Sequence, residues 1–353
     1  MLNALLIISA LLISFCSLAN TTPPIGIKPS NIIIVDKNAP NAFHSIQAAI
    51  DNSNQYKSVT ILISAGHYNE KLFITRNNVN LVGSSALNTT IEYAELRNNW
   101  RKDHDSDWGA AVINIAGSDI TIANLKILNS YGRQHNTTDH QFAIRGFENA
   151  SRIILHNCHV VADGADTVSL WNKKNGMYYH SHCTFEGATD MVCPRGHALI
   201  EHSSFINHRA KTATLWHDGE LNSDQKFVVS NSQFKGTQGY FLARHHYDAQ
   251  FYLINNHFSK TMADQPIFKK TYINKERDRA NKFGSRYFFS NNQAENPYPW
   301  LKDNFNPSKT YLQNQSIEQW VFNDQWSPKQ TLKDLQGIIS NTQFNFTEFK
   351  FEP

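Results

Sequence analysis

The chain has 353 residues, 41% of them hydrophobic and 18% charged, with a formal net charge of +3. These proportions exclude intrinsic disorder as the default state, and so small a charge without a basic run excludes a nucleic-acid partner. The length exceeds that of a usual single domain, although a repeat fold adds coils without enlarging one central core.

Residues 1–20 carry no charged side chain and are mostly Leu, Ile, Ala and Ser. Their apolar stretch, about residues 4–15, is too short to span a bilayer. Ser17-Leu18-Ala19 offers the small residues of a signal-peptidase site. Residues 1–19 are therefore predicted to be a signal peptide and residues 20–353 one secreted or periplasmic domain. An uncleaved anchor and a lipoprotein processed at Cys16 are the alternatives.

A Pro-rich lead-in is followed by a short apolar strand at Ile32–Val35. Residues 45–50 have helical spacing of their apolar positions and are predicted to cap the open end of a solenoid. Residues 59–64 alternate like a strand and run into the turn Gly66-His67-Tyr68-Asn69-Glu70. Short strands follow at residues 72–74, 79–82, 90–93 and 112–115, separated by Gly, Asn and Ser. Residues 98–109, charged and bearing Trp, read as a surface loop between them.

From there a repeat is legible. Leu155-His156-Asn157-Cys158-His159-Val160 is echoed by Tyr179-His180-Ser181-His182-Cys183-Thr184-Phe185. The anchor position recurs at Asn124, Asn157, His182, His202, Asn231, Asn255 and Asn291, with gaps of 20 to 36 residues. Such a period marks a stacked architecture, and short strands without helical segments between them predict a parallel β-helix. Asn at a fixed slot suits a turn in the left-handed backbone region or a side-chain ladder. The repeat fades after residue 299, and residues 331–340 are predicted to form a short closing helix.

Within the repeat, Gln141, Asp166 and Asp190 lie 25 and 24 residues apart. One period per coil stacks them about 4.8 Å from one another on an outer face. One amide above two carboxylates is a catalytic arrangement, because two carboxylates a strand apart do not easily both ionise. Cys158 and Cys183 share a slot of successive repeats, near the separation a disulfide needs. The slot suits two small apolar fillers as well, which is the expectation, with Cys193 unpaired either way. Among 16 histidines, His180 and His182 sit in the repeat without a ligand grouping, so no metal or cofactor is expected. Trp171 and Trp216 read either as sugar platforms or as surface packing, and Asn88, Asn136 and Asn149 begin glycosylation sequons.

Several of these segments resemble the pectin methylesterase family. Gly66-His67-Tyr68-Asn69-Glu70 resembles its Gly-x-Tyr-x-Glu motif, and Gln141-Phe142-Ala143-Ile144 its Gln-Ala-Val-Ala-Leu segment. Asp166-Thr167-Val168 is similar to the end of Gln-Asp-Thr-Leu, and residues 187–192 to the approach into Asp-Phe-Ile-Phe-Gly. Leu242-Ala243-Arg244 resembles the start of Leu-Gly-Arg-Pro-Trp, and residues 320–328 the closing segment. Each motif is weak alone; their order and spacing make the resemblance specific.

The resemblance implies a right-handed parallel β-helix that demethylesterifies methylated galacturonan to pectate and methanol, as a monomer and without a cofactor. It implies that Asp190 is the nucleophile, Asp166 the general acid and later the base, and Gln141 an oxyanion stabiliser. Arg244 is then the group that holds Asp190 ionised and oriented. The chain departs from the pattern in three places. Ala165 replaces the second Gln, Cys193-Pro194-Arg195-Gly196 replaces the Phe-Gly ending, and His245-His246 replaces Pro-Trp. Arg195, Trp171, Trp216, His245 and His246 are accordingly assigned to substrate binding, with Arg195 read either as the substitute oxyanion donor or as a contact to a neighbouring galacturonate or a structural ion pair. The competing functions are a non-catalytic polysaccharide-binding β-helix, a β-helix lyase or glycosidase, and an acyl esterase with another substrate. Methanol release from methylated pectin separates them.

Overall fold

The computed structural model describes residues 31–219, 222–340 and 342. The expected signal peptide, residues 1–19, and the Pro-rich lead-in lie outside the described residues.

The chain winds into coils, the complete ones adding one strand to each of three parallel sheets, which hold ten, eight and nine strands. The first sheet runs from Ile32–Val35 to Ser285–Ser290, the second from Leu72–Ile74 to Phe268–Lys269, and the third from Gly66–Asn69 to Gln293–Ala294. Parallel pairing in fixed register stacks like side chains into columns. In the first sheet Leu81, Ile122, Leu155, His180, Ile200, Val229 and Leu253 lie one above another. His180 is fully buried in this apolar column, and burial pushes its ring down to about 4, so it stands as a neutral core residue. In the third sheet Phe185, Phe205 and Phe234 form a ring stack with centroids 5.4 and 4.5 Å apart.

The corner between the first and third sheets explains the recurring Asn. All seven anchor residues adopt the left-handed backbone region, with φ between 49° and 56°. Asn enters that region at little cost because its short amide bonds locally. The amides also bond along the stack, Asn157 donating to Asn124 at 2.7 Å and Asn291 to Asn255 at 2.8 Å. Where His replaces Asn, the His182 and His202 rings stack at 5.2 Å.

Ends and flanks are closed separately. The helix Ile46–Asp51 buries Ile46, Ala49 and Ile50 at the N-terminal end of the core. Glu70 fixes it by accepting from Ser45 Oγ and from the Ile46 and Gln47 amides, which gives the Gly-x-Tyr-x-Glu motif a capping role. The helix Pro328–Ser340 does not close an end. It lies against the outer face of the first sheet, with Leu335 and Ile339 packed on Leu62, Val82 and Ala123. That cover is why first-sheet strands such as Val59–Ile63 are buried on both faces. The expected loop at residues 98–109 contains a helix, Arg97–Asp103, whose Trp100 ring stacks on His104 one turn on, at 3.5 Å.

Cys158, Cys183 and Cys193 are buried free thiols. Cys158 and Cys183 share a slot, one residue before the paired His159 and Thr184. Alkylation of the denatured protein without reductant should label all three, and a Cys158–Cys183 crosslink in mass spectrometry would contradict this. Asn231 is exposed at φ 50°, so Asn231→Val should cost about 1–2 kcal/mol in denaturant unfolding. Asn231→Gly should cost much less; equal stability of the two variants would remove the backbone explanation.

Candidate active site

The second sheet sends alternate side chains inward and outward. Ile144, Val168, Val192, Leu215 and Ala243 face the core. The residues after them, Arg145, Ser169, Cys193, Trp216 and Arg244, therefore line the outer face. Two strands of this sheet are entered through a corner in the left-handed region, at Asp166 (φ 65°) and Asp190 (φ 49°). Paired Ala165 and Thr189 stack the two aspartates on successive coils. The Asp166 amide bonds Thr189 O at 2.9 Å and the Asp190 amide bonds Ala213 O at 2.7 Å, so neither backbone can shift along the stack.

Arg244, two coils beyond Asp190, grips that carboxylate with both arms of its fork. Its Nε lies 3.0 Å from Oδ1 and its Nη2 2.6 Å from Oδ2. Burial pushes Asp190 up to about 6; Arg244 opposes the rise, Asp166 adds to it and the His140 ring opposes it. A carboxylate held so near neutrality, beside a second one, is suited to nucleophilic work at mildly acidic to neutral pH.

Gln141 is the expected member that the structure takes elsewhere. The segment from His140 to Ile144 holds one residue more than its neighbour from Ala165 to Val168. The excess forms a bulge in which the Ala143 and Ile144 amides both donate to Thr167 O. Gln141 lacks the left-handed conformation of the two aspartates, and its side chain is fully buried. The amide oxygen accepts from Gly132 N at 2.8 Å and the amide nitrogen donates to Thr137 O at 3.0 Å. It ties both ends of the turn that carries the short helix Tyr131–His135 to the coil.

Cations and rings from the outward column of Arg145 and Trp216 and from the one two residues farther along interleave into a stack. Arg145 lies 4.7 Å from the Trp171 ring, and Arg195 lies 3.7 Å from Trp171 and 4.0 Å from Trp216. Trp216 meets His246 edge-on at 5.4 Å, and His246 meets Tyr272 at 5.6 Å. Arg195 is only 4% exposed, donates to Cys193 O at 3.1 Å and sits 3.9 Å from Asp218. The structure thus gives Arg195 a place inside the wall. Trp171 and His246 are half-buried and keep open surface, whereas Trp216 is buried. His245 lies on the inward side with Nε2 2.6 Å from the Tyr287 hydroxyl and Nδ1 on Tyr247 O, and has no surface for a ligand.

Arg145 and His140 of this face were not singled out in the sequence. Arg145 joins the Asp107 carboxylate at 2.8 Å and Ser169 Oγ at 2.9 Å, and Arg97 and Arg101 meet the same Asp107. Strand alternation around Ile144 could have shown Arg145 facing outward, but nothing periodic ties it to Asp107. His140 is exposed and pairs with Ala165, in the column just ahead of the aspartates. Among the described residues, no three His, Cys, Asp or Glu side chains are grouped so as to hold a metal ion.

Comparison with known proteins agrees with this geometry. A sequence model of the family described as Pectinesterase matches residues 32–289. "Putative pectinesterase 11" of Arabidopsis thaliana is 27% identical over 223 residues, covering 60% of this chain and 58% of that protein. Pectin methylesterase PemA from Erwinia chrysanthemi superposes with a TM-score of 0.70 at 18% identity, over 86% of this chain and 99% of that one. A pectin methylesterase in complex with a hexasaccharide superposes at 0.67 with 20% identity, over 84% and 98%. The solenoid is accordingly a right-handed parallel β-helix. The family match spans most of the coils and includes both aspartates and the arginine that grips one of them, and the chain belongs to the pectinesterase family.

Proposed function

We propose that this chain is a carboxylic-ester hydrolase that removes methyl groups from methylated galacturonan. One observation carries the reading: two aspartates stacked on successive coils, one of them held by a forked arginine. The family's name and a relative's complex with a hexasaccharide support a polysaccharide ester as substrate. The half-exposed Trp171 and His246 offer ring surface beside the dyad for a sugar.

In this mechanism the Asp190 carboxylate attacks the ester carbonyl carbon. The carbonyl becomes an oxyanion and then re-forms as the C–O bond to methoxide breaks. Asp166 gives its proton to the departing oxygen, so methanol leaves and an anhydride joins substrate to Asp190. Asp166, now a carboxylate, takes a proton from water; the resulting hydroxide attacks the same carbonyl carbon and releases the galacturonic acid, which then gives its proton to solvent. Asp190 returns to a carboxylate and Asp166 to its protonated form. Arg244 orients the nucleophile throughout and favours its charged form.

No helix among the described residues is long and apolar enough to cross a membrane. Residues 1–19 support export to the cell surface or periplasm, where a plant-wall polymer would be met, and the enzyme is read as a monomer.

Methanol release from methyl-esterified polygalacturonate tests the assignment, and a purified, folded protein that releases none would refute it. Asp190→Asn and Asp166→Asn should each lower the rate by roughly 10³ or more without unfolding the chain. Because Asp190 works as a carboxylate and burial places it near 6, kcat/KM should fall as pH drops through about 6. Arg244 pulls that value down, so Arg244→Gln should move the acid limb to higher pH as well as slow the reaction. An unmoved limb would show that Arg244 does not set the charge of Asp190.

A further inference from the structure

Attack on an ester carbonyl needs a hydrogen-bond donor for the oxyanion, and the residues expected to supply it do not. Ala165 has no donor in its side chain. Gln141 spends its amide on Gly132 and Thr137. It cannot swing out cheaply, because it fills space kept open by two glycines. A Cβ on Gly132 would lie 2.6 Å from Gln141 Oε1, and one on Gly164 2.8 Å from Nε2. The backbone amides of Asp166 and Asp190 are committed to the neighbouring coil. Arg195 is enclosed between two tryptophans.

The bulge that withdraws Gln141 also brings its neighbour forward. His140 pairs with Ala165, which pairs in turn with Thr189. His140 therefore stands over the residues that precede the two aspartates, at the very slot where Ala165 leaves a donor missing. Its carbonyl accepts from Arg97 N at 3.1 Å, which anchors its backbone. Its ring is exposed, and its field reaches the buried Asp190 carboxyl. No hydrogen bond among the described residues holds the ring.

We propose that His140 is a further catalytic residue, donating a ring N–H to the oxyanion formed when Asp190 attacks the ester. An imidazole carries an N–H whether neutral or protonated, so the role does not depend on its charge. The assignment rests on the esterase reading above.

The experiment measures kcat and KM for methanol release from methyl-esterified polygalacturonate by the parent, His140→Ala and His140→Gln. Loss of one oxyanion donor costs about 10²–10³ in kcat, so His140→Ala should lose about that much with KM changed less than about threefold. His140→Gln returns an amide N–H to the slot and should recover at least about tenfold of the loss. Because His140 is exposed, both variants should melt with the parent in circular dichroism. Unchanged kcat in His140→Ala, a loss confined to KM, or equal rates for the Ala and Gln variants would each overturn the proposal. A parent that releases no methanol would instead remove the esterase reading, and the His140 role with it.

Discussion

Parallel pairing between coils, in a register that does not slip, is the constraint on which the molecule depends. The strands of one coil exchange backbone hydrogen bonds with the coil beside it, so residues a period apart are forced into columns. The left-handed corner maintains this by turning seven successive coils at the same place, and side chains that suit the corner stack on one another. The core follows from the same rule: aliphatic and aromatic columns fill the bore, and a buried histidine is accommodated by staying neutral.

The active face uses this geometry a second time. The left-handed bend at Asp166 and Asp190 sets two acids beside the outer face of the second sheet and leaves them about one strand spacing apart. Burial and mutual repulsion favour protonation of Asp190, and the arginine fork favours its charge. The balance of the three leaves a carboxyl raised to about 6 while remaining largely shielded from water. Asp190 could not be both so buried and so readily charged without Arg244 two coils away.

Beside the dyad, charge is stored differently. Arg145 and Arg195 are pressed between aromatic rings, where a weakly hydrated guanidinium is tolerated. Burial lowers Arg145 to about 10, and the Asp107 carboxylate works against that fall. Cations and rings contact one another all along the wall. Trp171 and His246 are the members of it that keep partly open ring surface.

The coil period, the corner residues, the N-terminal cap and the aspartate pair were legible in the sequence, because each repeats at a local spacing or carries a recognisable motif. What the sequence could not show is where single side chains turn. Gln141 lies 25 residues before Asp166, yet one extra residue in a bulge and an ordinary φ send it into the interior and leave His140 over Ala165. Arg195 and His245 read as surface residues until rings from other coils are seen to enclose the first and Tyr287 to hold the second. Asp107 meets Arg145 across 38 residues without any periodicity to announce it. Spacing along the chain determined which coil each residue belongs to. Only the stacked structure, through backbone conformation and the neighbours contributed by adjoining coils, decided which way each side chain faces and how deeply it is buried.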